Sequence, residues 1–138
     1  MPKEIPNNLL MQQVLNSVLD ISSRKSSEGE AIENMLTILN SMKSQFSFLQ
    51  NIQIQDTRFM EGDRSVLVGG DDIDDIETSQ VGAALEQIIW NMHRNLGKKA
   101  GYFFMKELKQ TLGDDFFYAM KDLGVDLSIM QLQNEVLK

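Results

Sequence analysis

Six apolar residues, Ile32, Met35, Leu39, Met42, Phe46 and Leu49, recur at alternating spacings of three and four. That is a heptad seam over nearly three heptads, and it dictates a helix with one face turned steadily toward a partner helix. Leu36 and Ile38 widen the stripe. Ser27 followed by Glu30 has the form of a capping box, so the helix is expected over 27–50. The seam has two readings. The facing helix belongs to the same chain, or the seam lies across a two-fold axis and makes a homodimer. Two Met and one Phe make such a seam adaptable rather than strongly specifying.

The remaining pattern is also mostly helical. Leu9, Leu10, Met11, Val14, Leu15, Val18, Leu19 and Ile21 predict a helix over 6–25, ending in a Ser-rich stretch. Over 51–78 the helical period stops. Ile52 and Ile54 alternate with Gln53 and Gln55, and Val66 and Val68 flank Leu67, with Glu61-Gly62-Asp63 between them as a candidate hairpin turn. An acidic loop, Asp71 to Glu77, follows Gly69-Gly70. Thr78 or Ser79 is a candidate cap for a helix over 79–112 with the stripe Val81, Ala84, Leu85, Ile88, Ile89, Met92 and Leu96. That helix is either continuous or broken at Gly97, and it is expected to be central. Over 114–138, Asp114 and Asp126 are expected to cap short helices around Gly124. Leu127, Met130, Val136 and Leu137 form the apolar side of the last one. The expected fold is mainly α: a single-domain helical bundle of four to six helices with a short β-hairpin after the second helix.

Composition narrows the chemistry. The chain of 138 residues has no Cys and one His, so disulfides, thiolate metal sites and cysteine nucleophiles are excluded. A net charge of −7 argues against general nucleic-acid binding and favours basic partners. The acidic loop lacks the ligand spacing and central Gly of an EF-hand. No phosphate-binding glycine loop, nucleophile elbow or metal-ligand helix motif is present. The expectation is therefore a non-enzyme with no cofactor and no metal. No apolar run is long enough for a membrane helix and no signal peptide is evident, so the cytoplasm is the expected compartment.

Three further features bear on contacts. Trp90 lies about 160° around its helix from the apolar stripe. Ala83, Gly97, Gly101, Phe104 and Leu108 fall near it, giving a second apolar face that is either internal or met by a partner. Trp is enriched at interface hot spots. Arg94, Lys98, Lys99, Lys106 and Lys109 surround Tyr102, Phe103 and Phe104, a local charge of +4 from five cations and one carboxylate, Glu107. Such a cluster can suit an anionic ligand or RNA. His93-Arg94-Asn95-Leu96-Gly97 resembles the motif of histidine phosphotransfer domains, which are four-helix bundles of about this size. In that family an exposed helical His is followed by Lys at the third place and Gly at the fourth. Gly97 matches, whereas Leu96 stands where Lys is usual. The resemblance covers five residues and implies His93 as phosphoacceptor, with Lys98 and Lys99 near the phosphoryl group.

These features favour a protein–protein interaction module, homodimeric, of the adaptor, regulatory or chaperone-like kind. Small acidic dimeric chaperones of secretion systems share this size and charge, an analogy of composition alone. The expected interface residues are Ile32, Met35, Leu39, Met42, Phe46, Leu49 and Trp90. Phosphotransfer through His93 is the second reading. Nucleic-acid or phospholigand binding through Arg94, Lys98, Lys99, Lys106 and Lys109 is the third.

Overall fold

Neighbouring apolar pairs along the first helix make its buried face unusually wide, and most of the other described helices pack on it. A computed structural model describes residues 7–54, 66–68, 76–101 and 104–136. Helix α1 spans Asn7–Lys25. Leu10, Met11, Val14, Leu15, Ser17, Val18, Leu19, Ile21 and Ser22 are all buried. At 100° per residue they cover an arc of about 200°. Among its described side chains, a narrow strip holding Leu9, Asp20 and Arg24 is exposed. The Ser26 hydroxyl and N–H both donate to the Ser22 carbonyl and close the helix.

Helix α2 spans Glu28–Met42, and the Ser27 hydroxyl accepts from the Glu30 N–H at 3.2 Å. The expected continuation to residue 50 is corrected here. Past Met42 the chain turns, and a single turn of 3₁₀ helix covers Ser47–Asn51. In a continuous α-helix Phe46 and Phe48 would lie about 200° apart and could not share one core. The turn buries both, with ring centroids 5.9 Å apart, along with Leu49 and Ile52.

Strand β1, Ile52–Ile54, pairs antiparallel with strand β2, Val66–Val68, with Ile52 opposite Val68 and Ile54 opposite Val66. The turn expected at Glu61-Gly62-Asp63 and most of the acidic loop lie outside the described residues.

Helix α3 spans Thr78–Gly101 and runs through Gly97 without a break. It starts at Thr78, with the Glu77 carbonyl accepting from the Gln80 and Val81 N–H groups. Helices α4, Phe104–Leu112, α5, Asp114–Asp122, and α6, Leu127–Val136, follow. Gly113, at φ +83°, separates α4 from α5. Asp114 is the first residue of α5 rather than its cap, and with Asp115 it places negative charge where the helix dipole favours it. Among the described residues the protein is mainly helical, with six α-helices.

The expectation that the Trp90 helix is central is corrected by the packing. α1 lies against α2, α3, α4, α5 and β2, while α3 packs mainly on α1, α2 and α4. A helix buried over more than half its circumference belongs in the middle. Over its described side chains α3 has the narrower stripe: Val81, Gly82, Ala84, Leu85, Ile88, Ile89 and Met92 are buried, and Ala83 on the other side is exposed.

Candidate functional site

The heptad seam faces inward. Ile32, Met35, Leu39, Met42, Phe46 and Leu49 are all buried within the chain itself. α2 packs on α1 and α3, which fill the place of the partner helix. As interface residues these six are corrected, because they have almost no surface to offer a second chain.

Trp90 is half-buried against the core, and its ring meets the His93 ring edge-on at 5.5 Å. His93 also meets Phe104, whose ring centroid is 6.1 Å away. Phe104 is fully buried and leads α4, so the second apolar face is divided between two helices. Phe104 and Leu108 belong to the core, whereas Ala83 does not.

Both ring nitrogens of His93 are shut off from solvent. A phosphoacceptor imidazole must present one nitrogen to its donor in line with the leaving group. His93 could do so only after its ring left the space between Trp90 and Phe104.

Among the described residues of the basic cluster, the cations have different surroundings. Arg94 is exposed and donates to the Asn91 side chain at 3.4 Å. Lys106 is exposed on α4. Lys109 is turned inward across the molecule: its Nζ donates to Ser128 Oγ at 3.3 Å and sits 4.6 Å from the centre of the Phe117 ring. It therefore ties α4 to both α5 and α6, and its charge is already engaged. Lys98 and Lys99 lie in the last two turns of α3, but their side chains are outside the described residues. Glu107, the carboxylate within the cluster, pairs with Lys25 at 2.7 Å and joins α4 to the end of α1.

Most apolar side chains are consumed by the core. Among the described residues, the large ones that remain exposed are Leu9 and Leu36, and more fully Tyr118 at 58%, Ile129 at 52% and Leu132 at 59%. The last three sit on the consecutive helices α5 and α6. Sequence reasoning groups Leu127, Met130, Val136 and Leu137 on one side of the last helix and passes over Ile129 and Leu132. The signal was present: Ile129, Leu132 and Val136 recur at spacings of three and four, alongside the stripe that is buried.

Among the described residues no three His, Asp or Glu side chains gather into a metal-holding group, and no helix is long and apolar enough to cross a membrane. Comparison with family models finds no match, and neither the curated proteins nor the solved structures contain a significant one.

Proposed function

We propose that this protein is a non-enzymatic protein–protein interaction module of the adaptor, regulatory or chaperone-like kind, and that it associates with itself. The observation that supports this is the exposed apolar surface of α5 and α6. Tyr118, Ile129 and Leu132 stay more than half in water although the core beneath them is closed. Burying a large apolar side chain is worth about 1.5–3 kcal/mol, so these three represent attraction that the folded chain leaves unused. Isolated exposed residues of this kind are ordinary; in this reading the three on two consecutive helices contribute to a contact surface. In this reading the helices form one bundle, β1 and β2 are the arms of a hairpin, and the module works in the cytoplasm.

Light scattering behind a sizing column, over a concentration series, tests the self-association. The expected mass rises toward twice the chain mass of 15.7 kDa as concentration increases. A constant monomer mass at every concentration would contradict it.

A further inference from the structure

We draw no further inference here: the strongest candidate, the exposed apolar patch around Ile129 and Leu132 on the outer side of α6, carries nothing because nothing in the structure shows what covers it.

Discussion

Gly82 lies where α3 touches the turn after α5. A methyl group there would run into the main-chain carbonyl of Leu123. A backbone atom cannot move aside as a flexible side chain can, so Gly82→Ala should lower stability by about 1–3 kcal/mol in urea unfolding. An unchanged midpoint would mean that the two segments can separate freely. In the sequence this glycine is inconspicuous, because it sits inside an apolar stripe and only the approach of a segment 41 positions away explains it. Ser22 presents the opposite case. Its hydroxyl is buried on α1 with no hydrogen-bond partner among the described residues. Removing a buried, unpaired hydroxyl relieves a desolvation cost, so Ser22→Ala should hold or raise stability by up to about 1 kcal/mol. A loss of more than that in the same unfolding assay would show that the hydroxyl has a role in the fold.

The junction of α5 and α6 shows which elements are legible locally. Gly124, at φ +95°, stops α5: its N–H donates to the Lys121 carbonyl, and the Val125 N–H donates to Met120. This is the Schellman arrangement, with Val125 and Met120 both buried as its apolar contact. Asp126 then caps α6 with one carboxylate oxygen on two N–H groups. Gly124→Ala should cost about 1 kcal/mol because Ala disfavours positive φ, and Asp126→Ala should cost about as much through the lost cap. Thermal unfolding by circular dichroism reads both. If neither midpoint falls, the α5–α6 junction does not hold the helices as described. Caps and glycine stops depend on residues a few positions apart, so this junction was readable in the sequence. The end of α2 at Met42 was not. No Gly or Pro marks it, and the helix gives way because Phe46, Phe48, Leu49 and Ile52 are all buried together.

For the molecule as a whole, the helical class and most core residues follow from the period of three and four. Which helix is central does not. α1 has no single clean stripe; its adjacent apolar pairs blur the period, and Ser17 and Ser22 extend the buried arc without being apolar. The seam of α2 looked like a surface because its regularity is that of a coiled coil, yet α1 and α3 already occupy it. The exposed pair on α6 was overlooked because its residues interleave with a second stripe that is buried. His93 and Lys109 were conspicuous as reactive or charged groups, and the fold places one between aromatic rings and the other across three helices. Two helices thus exchange the roles that their patterns suggest: α2 supplies core, and α6 leaves Ile129 and Leu132 exposed. Urea unfolding of Leu39→Ala beside Leu132→Ala, at a concentration where the chain is monomeric, tests that exchange most directly. Leu39→Ala should lose about 2–5 kcal/mol, the range for emptying a buried leucine site, while Leu132→Ala should stay within about 0.5 kcal/mol of wild type. A Leu39→Ala protein as stable as wild type, with Leu132→Ala strongly destabilised, would contradict the account.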